Sequence, residues 1–171
     1  IELLRHEPET IELIAAFTVQ EEIGLRGARV AAYAINPDLA FAIDSTPAYD
    51  LPLWETGSEN TVYNTRLGAG PAIYLADSST LSDPRLIQHL VKSAEADGIP
   101  YQFRQPGGGG TDAGTIHKQR AGIPSVSVSV PGRYAHTPAL FVRLEDWQNT
   151  LRLLHSALRR LTPAVLAQPR P

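Results

Sequence analysis

Two adjacent carboxylates, Glu21 and Glu22, stand where an apolar stretch predicted as a strand over 10–19 gives way to a glycine-containing turn and a helix. Successive side chains of an extended chain point in opposite directions. One carboxylate of this Glu pair can therefore bind a metal ion while its neighbour acts as general base on a water molecule. The positive end of a helix dipole also favours Glu at a helix start, so the Glu pair needs chemical partners elsewhere in the chain.

Two further ligand-type residues follow predicted strands. Asp44 comes directly after the apolar run 39–43, and His136 comes shortly after the apolar segment 123–130. In open α/β sheets, sites form at the carboxyl ends of strands, where residues distant in sequence can meet. We therefore predict that both residues converge with the Glu pair on one metal site. Alternatively, Asp44 caps a turn with the residues that follow it, and His136 is an imidazole of a surface loop.

A glycine-rich segment, 107–110, leads into a predicted helix that starts at Thr111 or Asp112 and continues to about Arg120. Glycines let backbone N–H groups approach a ligand, and a helix N-terminus favours negative charge. The segment can therefore hydrogen-bond a peptide carbonyl or the oxyanion derived from it. No GxxxxGK[ST] motif is present, so nucleotide binding is not predicted. On its own, a glycine run is more often a flexible connector.

Hydrophobic periodicity predicts alternating strands and helices. Besides 10–19, strands are predicted over 39–44, 71–75, 101–104 and 123–130, and helices over 25–35, 82–97 and 144–161. The stretch 46–70 is predicted to be irregular, with a short strand at 61–65 as an option. The alternation predicts a three-layer α/β/α sandwich around a twisted, mainly parallel sheet.

Three smaller expectations concern the predicted helices and the tail. His89 lies off the apolar stripe of helix 82–97, which predicts a surface histidine, whereas Trp147 lies on the stripe of helix 144–161, which predicts contact with the sheet. His117 and His155 are expected to be structural rather than metal ligands. The prolines from Pro163 onward predict a frayed tail.

Composition limits the class of protein. The chain has 171 residues, 43% of them hydrophobic and 19% charged, as expected for one soluble globular unit. A formal net charge of -3 provides no basic tract, so nucleic acid is not an expected partner. The absence of cysteine leaves carboxylate and imidazole as ligands. The apolar runs are too short for a membrane span, and cytoplasmic residence is the default expectation.

The residues considered so far belong to a series of motifs that resembles a known family. The motifs, in chain order, are TVQEEIGLRGA, AIDST, LGAGPAI, GGGTDAGTIH, AGIPSVSVSVP and RYAH. Together they resemble the C-terminal part of the catalytic domain of the M42 metallo-aminopeptidases, the tetrahedral aminopeptidases. The resemblance extends over most of the chain, and several motifs in series make it specific.

The resemblance implies a two-metal aminopeptidase that removes N-terminal residues from peptides, with zinc or cobalt as cofactor. It implies that Glu21 is the general base, that Glu22 and His136 bind one ion, and that Asp44 binds the other. It also implies that the glycine-rich segment borders the substrate pocket, with Gly109, Gly110 and Asp112 as pocket residues. Members of the family assemble into homo-oligomers, commonly dodecamers.

The chain departs from the family on its N-terminal side. No His-x-Asp motif or bridging aspartate precedes Glu21, His6 is the sole earlier histidine, and the chain lacks methionine. We therefore expect residues 1–171 to form the C-terminal portion of a catalytic domain, without the lid or assembly domain and the N-terminal metal ligands. Such a segment should bind metal weakly and be inactive alone. The alternatives are a related bimetallic amidohydrolase, such as a dipeptidase or deacetylase, and a metal-free interaction subunit of the same fold.

Overall fold

Serine and valine alternate along the central strand, β4 (Ser125–Arg133), in a computed structural model that describes residues 2–6, 11–51 and 64–169. Because successive side chains of a strand point to opposite faces, this alternation gives the sheet one apolar and one hydroxylated face. Val126 and Val128 are fully buried in the main core, and Ser127 is fully buried on the other side. The two faces accordingly contact different helices.

The other strands of the sheet are β1 (Ala40–Pro47), β2 (Ala72–Tyr74), β3 (Gln102–Arg104) and β5 (Phe141–Val142). In the order β1-β4-β2-β3, the sheet joins two parallel strand pairs through one antiparallel contact. Strand β1 runs parallel to β4 along its whole length, and β2 runs parallel to β3. Strands β2 and β5 each meet β4 in an antiparallel sense. The mainly parallel sheet predicted from the sequence is confirmed.

Helices α2 (Pro84–Ala96) and α4 (Leu144–Arg160) cover the apolar face. Their buried residues form one cluster with the valines of β4, and this cluster includes Leu86, Leu90, Leu153 and Leu154. Helix α2 begins at Pro84, two residues after the predicted start, because Asp83 accepts the backbone N–H of Arg85 and Pro84 occupies the first turn.

Helices α1 (Arg26–Ile35) and α3 (Ala113–Ile116) cover the hydroxylated face. They contact each other, and α3 contacts β1 and β4. A bond of 2.7 Å between the hydroxyls of Thr111 and Ser127 fixes the start of α3 to β4. The three-layer α/β/α architecture is therefore observed, with the sheet between two pairs of helices. Two short helices flank these layers, a 3-10 helix at Leu3–His6 and α5 at Ala164–Ala167.

The predicted strand 10–19 is not observed over its described part, residues 11–19. Strand formation needs a hydrogen-bonded neighbour. Among the described residues, β1 pairs with β4 alone, and the 11–19 backbone receives one main-chain bond, from Gly27 N–H to the Val19 carbonyl at 2.9 Å. Its side chains are correspondingly open, with Phe17 83% exposed.

Other local expectations are corrected by tertiary contacts. His89 is buried rather than superficial, and its Nε2 lies 2.8 Å from the Ala157 carbonyl of α4. Trp147 is 52% exposed, because Leu153 and Leu154 form the stripe that packs against the sheet.

Helix α3 ends at Ile116, well before Arg120. The predicted frayed tail contains α5, whose Leu166 carbonyl accepts a bond from Arg85.

Two further expectations concern the predicted loop and the membrane. The optional strand at 61–65 falls mostly outside the described residues, and residues 64 and 65 are not in a strand. Within the described ranges, no helix combines the length and apolar character that crossing a bilayer requires.

Candidate active site

The Glu pair lies on a tight turn before α1 instead of at a strand end. Gly24 and Leu25 donate backbone N–H bonds to the Glu21 carbonyl, at 3.1 and 2.9 Å. The turn needs the left-handed backbone region at Gly24, with φ 115°, and at Leu25, with φ 56°. Leucine adopts this region at some energetic cost, which the surrounding structure offsets. The turn leaves Glu21 half-buried and Glu22 exposed.

Asp44 lies inside β1 and not at its end, because the strand continues to Pro47. Neither the predicted strand end nor the alternative turn is therefore observed. In the parallel register Asp44 is opposite Ser129 of β4, which places its side chain on the hydroxylated face. One carboxylate oxygen accepts the Ser45 N–H at 2.7 Å. The carboxylate thus faces the layer that contains α1 and α3.

His136 follows β4 in a loop of unusual backbone conformation. Both Tyr134 and His136 have left-handed φ angles, 65° and 60°. This conformation turns the chain back toward the Glu pair, and His136 Nε2 lies 3.2 Å from Glu22 Oε1. The two side chains are 74% and 72% exposed, so they meet on an open surface. An imidazole and a carboxylate separated by 114 positions in sequence are thereby brought into contact.

Electrostatic coupling links these residues into one acid–imidazole cluster, defined as Glu21, Glu22, Asp44, Asp112 and His136. Desolvation raises the pKa of Glu21, and the charges of Asp44, Glu22 and Asp112 raise it further. Burial likewise raises the pKa of Asp44, with added contributions from Asp112 and Glu22. His136 lowers both pKa values. The four predicted residues therefore lie near one another, together with one predicted pocket residue.

Asp112 is attached to one distant part of the chain through one of its two carboxylate oxygens. The Thr18 hydroxyl donates to one of its carboxylate oxygens, which ties the open 11–19 segment to the start of α3. Thr111, the preceding residue, caps α3 by accepting the Ala113 N–H at 3.2 Å. The second carboxylate oxygen of Asp112 is buried and has no hydrogen-bond partner among the described residues. A buried carboxylate oxygen without a donor is suited to a cation.

The glycine-rich segment is held in place at several points. Gly109, with φ 76°, offers its carbonyl to the N–H of Ser78 at 3.1 Å. A Cβ added at Gly110 would approach the Ser79 hydroxyl to 2.8 Å. Asp77 organises this contacting turn by accepting the N–H groups of Ser79 and Thr80 at 2.8 and 2.7 Å. A purely flexible connector does not fit these contacts.

Arg104 is the anchor that sequence reasoning missed. Its side chain is 4% exposed and lies over the Tyr74 ring, 4.6 Å from the ring centre. The guanidinium donates to the carbonyls of Ala76, Gln105 and Gly108. No pattern in the sequence distinguishes a buried arginine from an exposed one. The Asp-Ser-Ser-Thr run at 77–80, by contrast, has the composition of a side-chain-capped turn and was a readable signal.

The donor set fits part of a divalent metal centre. Glu22 and His136 supply a carboxylate and an imidazole that meet at 3.2 Å, and both groups bind zinc. Within the described ranges, however, no three acidic or histidine side chains come close enough together to hold an ion. These residues therefore supply a pair of ligands and a surrounding negative field, which is less than the usual three-ligand catalytic site.

Comparison with known proteins supports the family resemblance. The M42 glutamyl aminopeptidase family model matches residues 1–153. A putative aminopeptidase of Acetivibrio thermocellus is 41% identical over 147 residues, which are 86% of this chain and 43% of that protein. The chain thus spans less than half the length of this relative.

Two solved structures extend the comparison to the fold. The TET aminopeptidase of a marine-sediment Thaumarchaeota archaeon superposes with a TM-score of 0.81 at 36% identity, over 88% of this chain and 41% of that one. A TET1 peptidase of Pyrococcus horikoshii, described as able to assemble into a tetrahedron or a large octahedral shell, gives a TM-score of 0.69 at 31% identity. That match covers 85% of this chain and 40% of the other.

Proposed function

Because this chain belongs to the M42 glutamyl aminopeptidase family, we propose that it serves a two-metal aminopeptidase that hydrolyses N-terminal residues from peptides. The observation that carries the proposal is the contact between His136 Nε2 and Glu22 Oε1, 3.2 Å apart, inside a field of three further carboxylates. A neutral imidazole beside a carboxylate is a frequent zinc-binding pair. The negative field around it favours a cation over an anion.

Each residue of the cluster has a distinct proposed role. Glu22 and His136 hold one ion, and Asp44 holds the second from the hydroxylated face of the sheet. Divalent ions bound there would supply Lewis-acid polarisation of the scissile carbonyl. Glu21, half-buried next to Glu22, accepts the proton of the attacking water at its carboxylate and passes it to the leaving amine.

The glycine-rich segment is proposed to orient the peptide. Gly109 and Gly110 present backbone close to Asp112, and the Ser78 and Ser79 contacts keep that backbone in one conformation. A fixed backbone donor stabilises developing negative charge better than a mobile one, because no reorganisation is needed during the reaction. Asp112 lies in the electrostatic neighbourhood of Glu21 and Asp44, where it can meet the free α-amino group of a substrate.

We propose that residues 1–171 alone bind metal weakly and hydrolyse little peptide. The reason is the ligand count, since the described residues offer two close ligands where a catalytic zinc ion usually has three. Calorimetric titration with zinc should give a dissociation constant weaker than about 1 µM. Tight stoichiometric binding would refute this expectation.

The activity is best tested in a hybrid in which this chain replaces the matching residues of the Acetivibrio thermocellus relative. With zinc or cobalt, the hybrid should hydrolyse amino-acid arylamides and leave their N-acetylated forms intact. Glu21→Gln should reduce kcat by at least about 100-fold while metal content stays the same. Glu22→Gln and His136→Ala should lower metal content as well as activity.

Glu12→Gln provides a matched control, because Glu12 is an exposed glutamate outside the acid–imidazole cluster. It should leave activity and metal content unchanged. Preference for N-acetylated substrates would indicate a deacetylase instead. Full activity without metal, or a folded hybrid that binds no metal, would refute the two-metal proposal.

Assembly is a further proposal that rests on the family. The Pyrococcus horikoshii TET1 peptidase can assemble into a tetrahedron or a large octahedral shell, and we propose that the intact protein likewise forms a homo-oligomer, of twelve subunits, in the cytoplasm. Sedimentation of the hybrid would give the mass directly, and a monomeric hybrid with full activity would refute this proposal. The side-chain preference of the enzyme is to be read from a panel of arylamides.

A further inference from the structure

A cleft of about 560 Å³ lies on the layer formed by α2 and α4. One face of α4 lines it with Arg152, Ser156, Arg159 and Arg160, positions that share a helix surface because they are spaced by three, four, seven and eight residues. Asp97, the residue after α2, contributes the facing carboxylate. His155 of the same helix also lines the cleft, which therefore presents three guanidinium groups, one imidazole and one carboxylate within a chain that is acidic as a whole.

The three arginines of the cleft are not equivalent. Arg160 is fixed, because its guanidinium donates to both oxygens of Asp97, at 3.0 and 2.7 Å, and to the Ser156 hydroxyl at 2.8 Å. Arg152 donates to the Asn149 side-chain oxygen at 3.0 Å. Within the described part of the chain, neither Arg152 nor Arg159 forms a salt bridge with a carboxylate. Asp97 attracts Arg152 as well as Arg160, so one carboxylate faces three guanidinium groups and the cleft keeps a net positive charge.

The helix dipole accounts for part of this arrangement. Arg159 and Arg160 occupy the last turn of α4, where a cation is favoured by the negative helix end. Arg152 lies two turns earlier, outside the range of that effect. Arg152 faces the same cleft as the two terminal arginines, and the helix dipole does not account for its position there.

We propose that this cleft binds a phosphate-bearing small molecule, held by Arg152 and Arg159 with Arg160 as the pre-oriented third donor. Guanidinium groups recognise phosphate oxygens through paired N–H donors. The volume of the cleft exceeds the volume of a single phosphate group. The rest of the ligand therefore has room beside Ile99, which also lines the cleft. The Asp97 carboxylate keeps Arg160 oriented and is itself repelled by the ligand, which limits the affinity to a moderate level.

This cleft is separate from the acid–imidazole cluster. Helices α2 and α4 pack on the valine face of β4, whereas Asp44 and Asp112 belong to the face that contacts α3. The sheet lies between the two sites. Ligand binding at the cleft therefore does not depend on metal or on peptidase activity, and the two proposals can fail independently.

The experiment is a titration of the 171-residue chain with inorganic phosphate and pyrophosphate at constant ionic strength, followed by calorimetry and by backbone amide NMR shifts. We expect saturable binding with shifts at 152–160 and 97–99, pyrophosphate binding more tightly than phosphate. Arg159→Ala and Arg152→Ala should each weaken pyrophosphate binding about two- to fivefold, the range of a solvent-exposed ion pair.

Arg29→Ala is the matched control, because Arg29 is an exposed arginine on α1, on the other side of the sheet. It removes the same charge and should leave the affinity unchanged. Acetate, a monovalent anion, should not saturate. The proposal is overturned if pyrophosphate binds no better than acetate, if shifts spread over the whole surface, or if Arg29→Ala weakens binding as much as Arg159→Ala. Folding of each variant is checked by circular dichroism.

Discussion

A buried carboxylate, Asp146, joins the start of α4 to the turn before β2. Its two oxygens accept the backbone N–H groups of Gly70 and Gly68, at 2.8 and 2.7 Å, and the residue is 1% exposed. Helix-start rules anticipate an acidic residue in this first turn. They do not anticipate that its carboxylate caps a separate turn 76 positions away.

Asp146→Asn should therefore destabilise the fold even though it keeps the shape of the side chain. The amide NH2 replaces one acceptor with a donor that faces a buried N–H, at a cost of about 1–3 kcal/mol. Urea unfolding measures the loss. Glu145→Gln, at an exposed glutamate on the same turn, is the control and should change the free energy of unfolding by less than about 1 kcal/mol. Equal effects of the two substitutions would contradict the assignment.

His89 makes stability depend on pH. Burial lowers its pKa from 6.5, and the charges of Arg160 and Lys92 lower it further, while the Ala157 carbonyl opposes the shift. The unfolded chain therefore binds a proton at a higher pH than the folded chain. The contribution of His89 to the free energy of unfolding is therefore fully present above pH 6.5. It declines as the pH falls from 6.5 toward the lower pKa of His89 in the folded chain.

His89→Gln should reduce this pH dependence, because glutamine cannot take up the proton. The measurement compares unfolding free energies at pH 7.5 and 5 for the native chain and the variant, a difference that isolates His89 from other titrating groups. His136→Gln, at an exposed imidazole, is the comparison substitution. If His89→Gln retains the pH dependence of the native chain, as the control His136→Gln does, protonation of His89 does not couple to folding.

At the scale of elements, Gly27 sets the distance between α1 and the open segment 11–19. A Cβ at this position would lie 2.5 Å from both the nitrogen and the oxygen of Val19, and backbone atoms cannot move aside as a flexible side chain can. The same contact between Gly27 and Val19 also sets the direction in which Glu21 and Glu22, which lie between these two residues in the chain, project. A glycine within the first turn of a helix is thus required by packing and not by helix geometry.

Gly27→Ala should lower stability by about 1–3 kcal/mol, as overpacking does. The sign is informative, because alanine within a helix would otherwise stabilise by up to about 1 kcal/mol. Gly108→Ala, where the added Cβ has open space, is the matched control. Thermal unfolding and the NMR shifts of Glu21 and Glu22 report the two consequences, and an unchanged melting temperature for Gly27→Ala would contradict the close approach.

At the scale of the whole molecule, several large apolar side chains on one side of the sheet are open. They come from the 11–19 segment, the Glu-pair turn and α1: Ile14, Phe17, Val19, Ile23, Val30 and Tyr33. Within the described residues, β1 has one hydrogen-bonded neighbour, so its outer edge is unpaired. An unpaired edge beside apolar side chains promotes association.

We expect the isolated chain to self-associate reversibly with increasing concentration. Replacing Phe17 and Val30 with serine should reduce that association, because they are 83% and 70% exposed. Leu81→Ser is the control, since Leu81 is 80% exposed but belongs to a different part of the surface. Sedimentation velocity over a concentration series is the measurement. Association that persists in the double variant, or is lost equally with Leu81→Ser, would argue against this surface.

Features with local causes could be predicted from the amino-acid sequence alone. The helix predicted over 82–97, observed as α2, and the apolar runs of β1 and β4 follow from hydrophobic periodicity, which acts over a few residues. The motif series identified the family, and so the residues of the cluster could be named before any coordinates. The alternating order of strands and helices was enough for the layered α/β architecture.

Features that depend on contacts between distant segments could not be predicted from the sequence and are visible only in the folded chain. The 11–19 stretch has strand composition but no neighbouring strand among the described residues, and so it forms none. His89 and Arg104 are buried because α4 and the glycine-rich segment close over them. The Glu22–His136 contact requires the left-handed turns at both residues' loops. Burial and pairing are properties of the partner surface, which no local window of sequence contains.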